Sequence, residues 1–97
     1  MKIRIANKKH GARGWYVGRP SPLGNPFPMR DESERMQVIA QYREWLNAKI
    51  AAKDAAVMKE LEAMTHVADL TLVCWCAPLP CHAEVIRDAL LKMTETK

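Results

Sequence analysis

The sequence predicts an α/β domain, a small three-stranded sheet that is partly parallel and flanked by helices. Three observations point there. Lys2-Ile3-Arg4-Ile5-Ala6 alternates polar and apolar, the period of a half-buried strand. Leu70 to Trp75 is apolar on both faces, as a central strand reached through a helical crossover must be. Between and after these runs lie segments with helical spacing of apolar residues. The 97 residues give room for one modest core, so one domain spans 1–97.

Taken in order, residues 7–14 read as a polar, glycine-containing turn. Trp15-Tyr16-Val17 has strong β character and is expected as a second short strand, able to pair with the first as a hairpin. Residues 18–28 form a loop with four prolines and two glycines. The prolines restrict themselves and the residues before them, so the loop is stiff. Gly18 and Gly24 allow unusual backbone geometry or close approach of a ligand. Asp31 or Ser33 can cap a helix that runs to about Lys49, with Val38, Ile39, Tyr42, Trp45 and Leu46 on one stripe. Arg35 falls in the centre of that stripe in the first turn. A cation there opposes the helix dipole, so it is expected to meet an acid or an anionic ligand. Residues 51–65 continue that helix or form a second one after a break near 50–53, with Val57, Leu61 and Met64 as a thin stripe that offers a dimer interface. In the last helix Val85, Ile86, Ala89, Leu90 and Met93 face the core. Pro80 suits its first turn, and the tail from Thr94 to Lys97 is expected to fray.

The formal charge is +4, and Lys2, Arg4, Lys8, Lys9, Arg13, Arg19 and Arg30 all precede the first acid, Asp31. That asymmetry suits an anionic partner, a nucleotide or nucleic acid, although acids spread through the rest of the chain leave no uniform basic face. No segment reaches the ~20 apolar residues of a membrane span, and nothing resembles a signal peptide, so a cytoplasmic protein with no membrane partner is expected.

All three cysteines lie within residues 74–81. An odd, clustered set argues against a disulfide framework and leaves reduced thiols, metal ligands or reactive groups. In an extended strand, Cys74 and Cys76 would stand ~6.6 Å apart. Sulfurs sharing one zinc sit within about 4 Å, so zinc requires the strand to end at Cys74. No metal ligand is assigned on this reading, and no motif implies a cofactor.

Cys81 and His82 open the last helix, where N–H groups and the dipole favour anions and lower a thiol pKa. His82 lies on the helix's core stripe and points toward the sheet, as a histidine bonded to a backbone carbonyl or as a donor or general acid/base. Cys81 as nucleophile with His82 as base is awkward, because adjacent helical residues point ~100° apart. The candidate catalytic residues are His82 and Cys81. The candidate ligand-binding residues are Gly18, Arg19, Gly24, Asn25, Arg35 and Cys76, provided that the loop and the last helix share one crevice.

Gly18-Arg19-Pro20 with Gly24-Asn25-Pro26-Phe27, Arg35 with Tyr42-x-x-Trp45-Leu46, and Leu72-Val73-Cys74-Trp75-Cys76-Ala77-Pro78-x-x-Cys81-His82-Ala83-Glu84-Val85-Ile86 together resemble a family of domains of unknown function, number 4326, seen in bacteria and especially in bacteriophages. The resemblance implies a compact Rossmann-like unit and a phage or mobile-element setting. It implies no established activity. It supports Gly18, Arg19, Gly24, Asn25, Pro26, Arg35, Cys76, Cys81 and His82 as pattern-carrying positions. Where the pattern reads Cys-His-Gly-Asp, this chain has Cys81-His82-Ala83-Glu84, which removes a glycine-dependent approach of backbone to ligand.

The function expected is binding of a small anionic ligand, a nucleotide or a similar metabolite, at the 76–82 turn and the 18–27 loop. A small enzyme acting on nucleotides or nucleosides through His82 or Cys81 is the alternative. A basic accessory factor for nucleic acid or a host protein is the third reading.

Overall fold

The computed structural model describes residues 1–11, 13–75 and 81–95. Its sheet holds β1 (Lys2–Asn7), β2 (Trp15–Tyr16) and β3 (Asp69–Cys74) in the order β1-β3-β2, all parallel. Three helices accompany it: α1 (Arg35–Ala51), α2 (Ala55–Thr65) and α3 (His82–Glu95). The expected α/β class and the central third strand are present, but the β1–β2 hairpin is not. Ile5 and Trp15 both pair with Leu72, one from each side. The chain must therefore pass from the end of β1 across β3 before it enters β2.

Gly14 makes that crossing possible. A Cβ there would stand 2.5 Å from the Thr71 carbonyl oxygen and 3.1 Å from Val73 Cγ2. Only a glycine lets the segment lie this close on the strand. The cover explains why Val73, on the sheet face opposite Leu70, Leu72 and Cys74, is nonetheless buried. The latter three residues join the main core with Tyr42 and Leu46 of α1, Leu61 and Met64 of α2, and Val85, Ile86 and Leu90 of α3.

Asp31 caps a 3-10 turn at Glu32–Glu34, accepting the Ser33 N–H at 2.8 Å, and α1 follows directly. The break between α1 and α2 needs neither proline nor glycine. Lys53 takes a left-handed φ of 54°. Lys53 N–H donates to Ile50 O and Asp54 N–H to Lys49 O, each at 3.0 Å, the paired bonds of a Schellman ending. Asp54 then caps α2 by accepting the Val57 N–H at 3.1 Å. Val57, Leu61 and Met64 are buried within the chain's own core, so this stripe is not a dimer face. Thr94 and Glu95, expected to fray, belong to α3. The Thr94 hydroxyl bonds the carbonyls of Leu90 and Leu91. Pro80, Thr96 and Lys97 lie outside the described residues.

Candidate functional site

A cavity of about 380 Å³ opens beyond the carboxyl ends of β2 and β3, where parallel α/β sheets place ligands. The 18–29 segment contributes Gly18, Arg19, Asn25, Phe27 and Met29 to its wall. The first turns of α1 contribute Arg35, Val38 and Ile39. Tyr16 and Trp75 come from the strand ends, and Cys81 and His82 from the start of α3.

The loop is held in shape by its own polar groups. Two successive turns close with Ser21 N–H to Gly18 O and Gly24 N–H to Ser21 O, both at 2.9 Å. Asn25 Oδ1 accepts the Phe27 N–H at 2.8 Å, an Asx turn that sets Phe27 against the core. Leu23 is fully buried, and its carbonyl accepts the Tyr42 hydroxyl at 2.7 Å. Burial, with Cys81 beside it, raises the Tyr42 pKa, so this hydroxyl stays a donor.

The two glycines serve the chain rather than a ligand. Neither has a left-handed φ. A Cβ on Gly18 would collide with the Tyr16 phenol. One on Gly24 would press on the Arg19 backbone at 3.0 Å, and Gly24 does not line the cavity.

Arg19 Nε donates to the Asn25 carbonyl at 2.7 Å, which fixes the guanidinium on the cavity wall. Among the described residues Arg19 makes no ion pair. Arg35 is only 11% exposed and donates Nε and Nη2 to Glu32, both at 2.7 Å. The acid expected opposite Arg35 is therefore Glu32, whose carboxyl this pairing holds below its ordinary pKa.

Cys81 precedes α3 as its capping residue rather than lying within its first turn. Its N–H donates to Glu84 Oε2 at 3.1 Å, and its sulfur accepts the Ala83 N–H at 3.4 Å. Glu84 thus supplies the carboxylate half of a capping box, while the sulfur caps the second N–H of the helix and the Glu84 N–H bonds the Cys81 carbonyl at 3.1 Å. The helix start already carries a carboxylate and satisfied N–H groups, so positive charge in the cavity comes from the arginines more than from the dipole. Cys81 Sγ also lies 3.2 Å from Cys74 Sγ. The strand does end at Cys74, as a zinc site would require. Cys76, the third sulfur and a predicted ligand contact, lies outside the described residues.

His82 is 8% exposed, and its Nε2 lies 2.7 Å from the Val17 carbonyl, so Nε2 is the donor. Its ring meets Tyr42 edge-on, with centroids 5.1 Å apart. Burial lowers its pKa, the Val17 carbonyl opposes this, and the Arg19 charge adds to the lowering. The environment therefore favours the neutral imidazole, and the nitrogen facing Val17, being the donor, is not available as a base.

Gly18, Arg19, Asn25, Arg35, Cys81 and His82 thus meet on one cavity. The sequence places the 18–27 loop, and with it Phe27, at the site, but it does not mark Tyr16, Met29, Val38, Ile39 or Trp75 as belonging there. For Trp75 a signal existed: it is a large aromatic at the carboxyl end of the expected Leu70 to Trp75 strand, where ligands bind.

Among the described residues, no helix is long and apolar enough to cross a membrane. No curated protein and no solved structure matches the chain. A family match runs over residues 3–92, from β1 through every cavity-lining segment to the last turns of α3, and the chain belongs to that family, described as domain of unknown function (DUF4326).

Proposed function

We propose that the protein binds a small anionic metabolite, best matched by a nucleotide, in this cavity. The observation that carries the reading is Arg19, a cation fixed on the wall by its Nε with no counter-ion among the described residues. Arg35, on the same wall, adds a second guanidinium, paired with the exposed Glu32 carboxylate. Phe27, Met29, Val38 and Ile39 supply apolar wall for the uncharged part of the ligand. Few convergent polar groups on a mostly apolar surface is the usual composition of a small-molecule site, and 380 Å³ is within its size range.

Binding is favoured over catalysis by the state of the two candidate catalytic groups. His82 Nε2 is engaged with Val17 O, and Cys81 Sγ caps α3 and packs on Cys74. The bacteriophage setting and a role in sequestering a host nucleotide remain part of this proposal.

Native mass spectrometry of the protein purified gently from its cells tests the reading. A co-purifying small anion is expected, lost on Arg19→Ala. In titrations with adenosine 5′-monophosphate, the same substitution is expected to weaken binding about tenfold or more, the value of a charge-assisted hydrogen bond. An unliganded mass, with titrations that show no binding of any nucleoside monophosphate, would sink the proposal.

A further inference from the structure

We infer that the Trp75 indole is a stacking platform for a nucleobase at the cavity mouth. This inference rests on the reading above and narrows its ligand from anionic metabolites in general to nucleoside phosphates.

Trp75 follows the last residue of β3 and is 56% exposed, yet it lines the cavity. Two hydrogen bonds hold its orientation. The indole N–H donates to the Tyr16 hydroxyl at 3.0 Å, and that hydroxyl donates to the Arg19 carbonyl at 3.0 Å. Gly18 makes room for the phenol in this chain of contacts, because any side chain there would displace it. The ring is therefore positioned before a ligand arrives, which lowers the entropy lost on binding.

The charges beside the ring say what kind of molecule covers it. Lys8 Nζ lies 4.6 Å from the centroid of the Tyr16 ring and 5.9 Å from that of Trp75. Arg19 shares the cavity wall with both aromatics. Two cations repel a cationic ring and favour an anion next to a planar group. An aliphatic phosphate would meet Arg19 and leave the indole uncovered. A nucleotide uses both, with its base on Trp75 and its phosphate toward the guanidinium. The cavity's volume suits one such molecule rather than a polymer strand.

Calorimetric titration of the full chain with the four common nucleoside 5′-monophosphates, ribose 5-phosphate and inorganic phosphate tests the platform. At least one nucleotide is expected to bind tenfold or more tightly than ribose 5-phosphate, in line with base–aromatic stacking. That advantage should vanish in Trp75→Ala and largely survive in Trp75→Phe, while phosphate binding stays unchanged in both. Equal binding of nucleotide and ribose 5-phosphate to the unaltered protein overturns the platform and leaves the anion site standing. An advantage that persists in Trp75→Ala, or a loss of phosphate binding along with it, also overturns the platform. Failure of every probe to bind removes both the platform and the function on which it rests.

Discussion

The His82 imidazole donates Nε2–H to the Val17 carbonyl across 2.7 Å, joining the start of α3 to the residue that follows β2. The contact lets a polar ring sit in the core with its burial penalty offset by one hydrogen bond. It also makes the fold sensitive to pH. Burial, opposed by the Val17 carbonyl and aided by Arg19, holds the folded pKa below 6.5. As pH falls below 6.5 the unfolded chain takes up this proton first, so stability is full above that value and declines toward the folded pKa. The loss is at most about 1.4 kcal/mol per pH unit. Urea unfolding at pH 7.5 and 5.5 should show the decline, and His82→Gln should remove this part of the slope. An unchanged slope would contradict the assignment.

Tyr42 ties the proline-rich loop to α1 through its hydroxyl on Leu23 O. Tyr42→Phe leaves that carbonyl without its donor in a buried place. The expected cost is about 1–3 kcal/mol, read as a lower urea midpoint with unchanged slope. A neutral substitution would mean that water or another donor reaches the carbonyl.

Gly14 carries the crossing over β3. Gly14→Ala places a methyl group against the Thr71 carbonyl, where backbone rather than a movable side chain must yield. The variant should lose about 2 kcal/mol or more, or fail to fold. Gly11→Ala is the control. Its Cβ meets nothing within 4 Å, so its cost is confined to the left-handed φ of 75°.

Lys53 ends α1 in a left-handed conformation that costs any residue with a Cβ. Lys53→Gly should stabilise the protein by about 0.5–1 kcal/mol, seen as a rise in melting temperature. A fall would show that the lysine side chain contributes more at this position than its backbone costs.

Much of the candidate site was legible because its chemistry is local. A glycine- and proline-rich segment between strand and helix, an arginine on an apolar stripe, and a histidine on a core-facing helix position all mark themselves in one dimension. The aromatic share of the cavity did not. Tyr16 and Trp75 lie 59 positions apart and join through a hydrogen bond that no periodicity encodes. Gly18 and Gly24 were legible as special but not in purpose, since their missing side chains make room for Tyr16 and Arg19 rather than for a ligand.

The amino-acid sequence alone determined the α/β class, the core stripes of the three helices and the central place of β3, because apolar spacing and strand composition act over neighbouring residues. Tertiary structure alone decided that β2 joins β3 rather than β1. It also decided that Trp75 and Arg19 line one cavity. Each of these depends on close contact between segments distant in the chain, where the fit of one glycine or one indole selects among arrangements that local preference leaves equal.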